Sequence, residues 1–242
     1  MTPTPAAPVA LVTGGARGLG LEVARQLAAT GADVLIAARD PRAAAAAAGP
    51  DGVRALPVPL DVADPASVAA AAAVLAEEPG RLDVLVNNAA AYVDWSETAA
   101  GADLEAARGV LEVNLLGAWR LTQALLPLLR TSPHPRVVNV SSGAGSHADP
   151  AFGLTARGGA AASYGVSKAA LNALTATLAA ELADTPVMVN AVCPGLTATW
   201  PGAERTGARP AAVSAEGVVW AATLPDDGPR GGFFRDRRPL GW

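Results

Sequence analysis

Tyr164 and Lys168 stand four positions apart in the run Tyr-Gly-Val-Ser-Lys. On a helix that spacing puts both side chains on one face, one turn from each other. A free tyrosine titrates near ~10, too high for efficient proton exchange at neutral pH. An ammonium within reach favours the phenolate and lowers that value by roughly 1–3. Such a pair can give a proton to a carbonyl oxygen or take one from an alcohol. A hydroxyl of the Ser141-Ser142 pair could donate a hydrogen bond to the same oxygen and stabilise charge developing there.

A second group of residues suits an anion. Residues 13–20 read Thr-Gly-Gly-Ala-Arg-Gly-Leu-Gly. Gly14 permits a tight turn, and Gly18 and Gly20 let backbone approach a pyrophosphate at a helix N-terminus, whose N–H groups attract negative charge. The glycines are spaced Gly-x-x-x-Gly-x-Gly, and no lysine follows to make a P-loop. Further on, Ala37-Ala38-Arg39-Asp40 ends what reads as the second strand. At that place a carboxylate would hold a ribose 2′-hydroxyl, whereas an arginine would accommodate a 2′-phosphate. By spacing alone Asp40 could be the ribose ligand, but it precedes Pro41 and sits where a helix N-cap is needed.

Elements able to position these groups alternate along the chain. Short β-branched or Leu/Val runs at 8–13, 33–37, 53–60, 82–86, 135–141 and 186–193 read as buried parallel strands. Helical stretches at 18–30, 41–48, 65–78, 104–130, 163–184 and 214–224 lie between and after them, and 231–235 could close the sheet. Gly31 follows the first helix, and Asp40-Pro41 and Asp64-Pro65 each pair an N-cap with proline at N1. Repeated β-α units with short connections predict an α/β fold: one doubly wound Rossmann domain over 1–242, its parallel sheet flanked by helices on both faces. The irregular segments 142–162 and 195–213 follow strand C-termini, the edge of an open sheet where ligands bind.

The ordered set of motifs resembles the short-chain dehydrogenase/reductase family over essentially the whole chain. Thr13 to Gly20 looks like its cofactor turn, and Asp61-Val62 ends the third strand where the family holds the adenine ring. Asn87-Asn88-Ala89-Ala90 resembles its Asn-Asn-Ala-Gly, with Ala90 in place of the usual glycine. Asn114 lies in the long helix, Ser141-Ser142 ends the fifth strand, Tyr164 and Lys168 open the next helix, and Pro194 to Thr199 follows the sixth strand. The resemblance implies Asn114, Ser142, Tyr164 and Lys168 as catalytic residues. Ser142 is the second of its pair, Asn114 would hold a water linking Lys168 to solvent, and Lys168 would also bond the nicotinamide ribose. It implies cofactor contacts from Gly14, Arg17, Gly18, Leu19 and Gly20, from Arg39, Asp61 and Val62, from Asn88, Ala89 and Ala90, and from Pro194, Gly195, Thr197 and Thr199, besides Tyr164 and Lys168. The family's NAD-type carboxylate falls at Ala38, its NADP-type arginine at Arg39, and Arg17 matches a second cation of NADP enzymes. Two guanidiniums on one phosphate, each contact worth roughly 1.5–3 kcal/mol, favour NADPH.

Val137 to Ser142, Cys193-Pro194-Gly195 and the tail from Gly228 to Trp242 look most like the carbonyl-reductase-type branch, where an insertion before the catalytic tyrosine covers the long helices. That resemblance implies a monomer. The activity implied is hydride transfer between nicotinamide and the carbonyl or alcohol carbon of a small apolar ketone or aldehyde. Phe152, Leu154 and Trp200, the bulky residues of the two irregular segments, suggest an apolar substrate pocket without an obvious cation for a carboxylate or CoA phosphate. An NAD-linked alcohol dehydrogenase is the rival enzyme. A non-catalytic dinucleotide sensor on the same fold would be expected to lose the Tyr or Lys, and this sequence keeps both.

Composition excludes other classes. Hydrophobic residues make up 51% of the chain and charged residues 17%, enough for a large core and too apolar for general disorder. A net charge of −4 gives no reason to expect a nucleic-acid or membrane partner. The cluster Arg235, Arg237 and Arg238 reads as a solvated tail. The single cysteine, Cys193, cannot form an internal disulfide and reads as a small packed residue in a reducing compartment. His134 and His147 lack the supporting ligands of a metal site. No targeting segment is visible, so the expected location is cytoplasmic.

Overall fold

The computed structural model describes residues 7–49, 52–199 and 202–242, which leaves Trp200 outside the described residues. Among them eight strands form one sheet in the order β3-β2-β1-β4-β5-β6-β7-β8. Strands β1 (Val9–Thr13), β2 (Asp33–Ala37), β3 (Val53–Ala55), β4 (Val84–Asn87), β5 (Arg136–Val140), β6 (Met188–Val192) and β7 (Phe233–Arg235) run parallel. A short edge strand β8 (Arg238–Pro239) returns antiparallel to β7.

Alternate residues of each strand feed two cores. Leu11, Leu35, Leu85, Val137 and Val189 face α3 (Pro65–Glu77), α5 (Ala118–Leu129) and α6 (Ala162–Glu181). Val12, Val34, Ile36, Val86 and Val138 face α1 (Gly18–Ala29) and α7 (Ala211–Ala222). Burial on both faces explains why the strands read as continuous apolar runs rather than alternating ones. The chain order reverses between β1 and β4, the switch point at which such sheets open a ligand crevice.

The expected caps are present. Asp40 accepts from Arg42 N at 2.9 Å at the start of α2 (Pro41–Ala47), and Asp64 accepts from Ala66 N at 3.0 Å at the start of α3. Gly31 has φ +92°, the left-handed conformation that ends a helix without a Cβ penalty.

Of the boundaries that differ from the sequence reading, three bear on the site or have a local cause. Strand β3 ends at Ala55 rather than residue 60, because Pro57 and Pro59 have no N–H for a ladder; Leu60 N still reaches Ala38 O at 2.9 Å. The long helix is α4 (Leu104–Leu111) joined to α5 by a π-helical turn, Glu112–Gly117. That turn brings Gly117 against Val62, where a Cβ would meet the Val62 side chain at 2.7 Å. Helix α7 starts at Ala211, immediately after Pro210, and not at 214. No helix among the described residues is long and apolar enough to cross a membrane.

Candidate active site

The C-terminal ends of β1, β4, β5 and β6 meet around a cleft of about 910 Å³. Its floor begins at the glycine turn. Thr13 Oγ1 accepts from Asn88 N and Ala89 N, each at 2.9 Å, and Asn88 Nδ2 donates to Thr13 O at 2.8 Å. The loop after β4 is thereby pinned to the loop after β1. A Cβ on Gly20 would meet Gly14 O and Asn88 Nδ2 at 2.5 Å, and Gly14 itself sits at φ +63°. These glycines are dictated by close backbone packing that leaves the first turn of α1 facing the cleft.

Arg17 and Arg39 are exposed and line this space, as do Gly14, Gly18, Leu19, Gly20, Asn88, Ala89 and Ala90. Among the described residues no carboxylate lines the cleft. Asp40 spends its oxygen on the α2 cap. On the far side Pro194, Gly195, Thr197 and Thr199 complete the lining. Their loop is held from behind by Arg209, which donates to Pro194 O at 2.7 Å, and by a 2.8 Å bond from Thr197 Oγ1 to Ser214 Oγ.

Ser142, Tyr164 and Lys168 all reach this cleft. Lys168 is 2% exposed and donates from Nζ to Val140 O at 2.9 Å, with its nitrogen 5.7 Å from the centre of the Tyr164 ring. The two serines separate in role. Ser141 Oγ gives its proton to Asn172 Oδ1 at 2.5 Å, whereas Ser142 Oγ accepts from Ala144 N at 3.2 Å. The Ser142 hydroxyl is thus left to meet the Tyr164 hydroxyl, where a ligand oxygen could take over its hydrogen bond.

Asn114, Asp61 and Val62 are not in the cleft lining. Asn114 lies behind it in the π-helical turn, 1% exposed. Its amide accepts from Ala91 N at 2.8 Å and donates to Ala91 O and to Ser167 Oγ, each at 3.0 Å. Ser167 in turn donates to Tyr164 O at 2.7 Å, so the amide ties the β4 loop to the tyrosine's own helix turn. One Oδ1 lone pair is its remaining capacity. Asp61 caps its local turn by accepting from Ala63 N at 3.0 Å, and Val62 packs under Gly117.

Electrostatics correct one expectation. Burial pushes the Tyr164 phenol above its usual range, with the Tyr92 hydroxyl acting in the same sense and a hydrogen bond with Ser142 opposing it. Burial also pushes Lys168 down to about 8. With both groups desolvated, neutral forms are favoured, and the Tyr164 phenol is raised where the sequence predicts it lowered.

Several contributors were not read from the sequence. Tyr92 stacks on Tyr164 with centroids 5.3 Å apart, and Trp95 meets it edge-on at 5.5 Å. Glu97 caps α6, its Oε2 accepting from Ser163 N at 2.8 Å and from Ser163 Oγ at 2.7 Å. That capping supports Ala161, which enters the helix at φ +55°, a costly conformation for a non-glycine residue. Arg235 is no solvated tail: it lines the cleft, pairs with buried Asp149 and donates to Cys193 Sγ from Nε and Nη2 at 3.2 Å each. Arg157 also lines the cleft, so the expectation of a substrate region without a cation is corrected too. Arg237 does lie at the surface, beside Glu216 at 3.3 Å. Cys193 is buried, as its reading as a packed residue requires.

Comparison with known proteins adds an independent line. The profile of the short chain dehydrogenase family matches residues 8–208. The short-chain reductase protein NovJ of Streptomyces niveus is 42% identical over 195 residues, covering 79% of this chain and 70% of that protein. Among solved structures, NADPH-bound carbonyl reductase from chicken fatty liver superposes with a TM-score of 0.81 at 26% identity, covering 98% of this chain and 100% of the other. The RhlG/NADP active-site complex of Pseudomonas aeruginosa gives a TM-score of 0.80 at 31% identity, with 98% of each chain covered.

Proposed function

The chain belongs to the short chain dehydrogenase family, and on that premise we propose that it is an NADPH-dependent reductase of a small apolar ketone or aldehyde, working as a single catalytic domain. The observation that carries this reading is the composition of one cleft. A glycine turn at a helix N-terminus, two exposed guanidiniums, Arg17 and Arg39, and the side chains of Tyr164, Lys168 and Ser142 all line it, and no carboxylate does among the described residues. An NAD site with a ribose-binding carboxylate does not fit that lining; a 2′-phosphate does. The NADPH-bound carbonyl reductase and the RhlG/NADP complex support the same choice.

Gly14, Gly18, Leu19 and Gly20 would hold the pyrophosphate, Arg17 and Arg39 the 2′-phosphate, and Asn88, Ala89, Ala90 and Lys168 the nicotinamide ribose. Asp61 and Val62 would border the adenine, and Pro194, Gly195, Thr197 and Thr199 the nicotinamide side. A bound reduced nicotinamide supplies a hydride equivalent to the carbonyl carbon. Tyr164 gives its phenolic proton to the carbonyl oxygen, and Ser142 donates a hydrogen bond to that oxygen as charge builds on it. A phenol raised by burial is fully protonated at neutral pH and ready for this direction. Lys168, pushed down to about 8, passes between ammonium and amine near neutral pH. Its ammonium stabilises the phenolate as it forms and can return a proton to it. Asn114 fixes the turn on which Tyr164 and Ser167 sit, and its free lone pair suits a water that links Lys168 to solvent. Every group used comes from one chain, so a monomer suffices.

The test is consumption of NADPH against a panel of ketones, aldehydes and quinones, with NADH run in parallel. NADPH-linked reduction of at least one carbonyl class supports the proposal. Turnover with NADH alone, or none with any compound, overturns it.

A further inference from the structure

Four large side chains of the cleft stay exposed: Tyr92 at 60%, Trp95 at 46%, Phe152 at 39% and Leu196 at 38%. All four line the one cleft, and three of them are aromatic in a chain whose aromatic content is only 4%. Tyr92 and Trp95 come from the loop after β4, Phe152 from the loop after β5, so aromatic faces approach the cleft from two separate loops. Leaving several aromatic rings in water inside a concave site costs stability unless a ligand covers them.

Both walls are held in place. Glu97 fastens the Trp95 loop to the start of α6. Asp149 Oδ1 accepts from Ala151 N at 3.0 Å and Phe152 N at 3.1 Å, while Arg235, paired with Asp149, lies 5.9 Å from the Phe152 ring centre. Rings ordered in advance lose little freedom when a ligand arrives.

Resting on the reductase reading above, we infer that the carbonyl compound taken by this cleft carries a planar aromatic group, seated between the Tyr92–Trp95 wall and Phe152. Aromatic rings meet one another by offset stacking or edge-to-face contact, and each such pair adds about two- to tenfold in affinity beyond area burial. A saturated ring of the same skeleton buries at least as much apolar area and gains nothing from ring quadrupoles. Burial alone therefore gives no preference for the aromatic compound, and ring–ring contact gives a clear one. Tyr92 and Trp95 also touch the Tyr164 ring, which places an aryl group bound there next to the phenolic proton.

The experiment compares phenylacetone with cyclohexylacetone, and 1-(2-naphthyl)propan-2-one with its decalin analogue. A methylene insulates each carbonyl from the ring, so intrinsic reactivities are close. The unmodified protein should show kcat/KM at least about tenfold higher for the aryl ketone of each pair, carried mainly in KM. Trp95→Leu and Phe152→Leu, at positions exposed enough to tolerate the change, should each reduce that ratio several-fold, with circular dichroism confirming the fold. Equal or inverted ratios in the unmodified protein overturn the inference and leave the reductase reading standing. Should neither ketone be turned over, quenching of tryptophan emission by 1-(2-naphthyl)propan-2-one is read in the unmodified protein and in Trp95→Leu. Saturable quenching lost in the variant supports the aryl site while counting against the reductase reading; no saturable quenching overturns the inference.

Discussion

Replacing Lys168 with methionine should stabilise the protein while impairing it. The ammonium is almost fully buried, and its value falls from 10.5 to about 8. At 1.36 kcal/mol per pKa unit, that difference costs the native state roughly 3 kcal/mol at neutral pH. The unfolded chain binds this proton below 10.5, the native chain only below about 8. Stability contributed by a neutral Lys168 is therefore fully present above 10.5, is lost as pH falls between those values, and stays lost below about 8. Methionine keeps the length of the side chain without the charge. It forfeits the bond to Val140 O, returning about 1–2 kcal/mol of the gain. Urea unfolding without added cofactor should find Lys168→Met more stable by about 1–2 kcal/mol at pH 7. By pH 9.5 the difference should have shifted by about 2 kcal/mol in favour of the unmodified protein. The Tyr164 phenol, raised in both proteins, changes stability only above its ordinary value near 10 and cancels in the comparison. A difference independent of pH, or a variant clearly less stable at pH 7, would refute the claim that burial dominates this site.

NADPH should bind more than about tenfold more tightly than NADH, and Arg39→Asp should narrow or invert that ratio in calorimetry; equal affinities in the unmodified protein would remove the 2′-phosphate assignment. Glu97→Ala, which deletes the cap on α6, should cost about 0.5–2 kcal/mol in denaturant unfolding and raise KM by loosening the Trp95 loop. An unchanged KM and stability would mean that the cap is idle. The protein is expected to run as a monomer in light scattering, and a stable tetramer at low micromolar concentration would contradict this, a sharp test because Leu116, Trp119 and Val166 remain exposed.

The parts of the fold that depend on neighbours in sequence were legible. Apolar runs buried on both faces announced the parallel strands, and Asp40-Pro41, Asp64-Pro65 and Gly31 marked helix ends through local hydrogen bonding. Tyr164 and Lys168 were legible because their relation is one helical turn. What escaped depends on chain segments far apart. Glu97 caps a helix 66 residues away, and Arg235 reaches an aspartate 86 residues earlier. Nothing local distinguishes such side chains from a solvated glutamate or a basic tail. The π-helical turn at Asn114 packs against Val62 and Ala91, contacts that lie outside any helical period. The direction of the Tyr164 shift was missed for the same reason, since burial is a property of the assembled fold.

Turnover of Tyr164→Phe with a good carbonyl substrate and NADPH tests the central claim most directly. The change keeps the ring that stacks on Tyr92 and removes only the hydroxyl, so fold and cofactor affinity should survive. Loss of a general acid should lower kcat by about 10²–10⁴-fold with the NADPH dissociation constant nearly unchanged. Retention of most of the original turnover would show that Tyr164 is not the proton donor and would contradict the account.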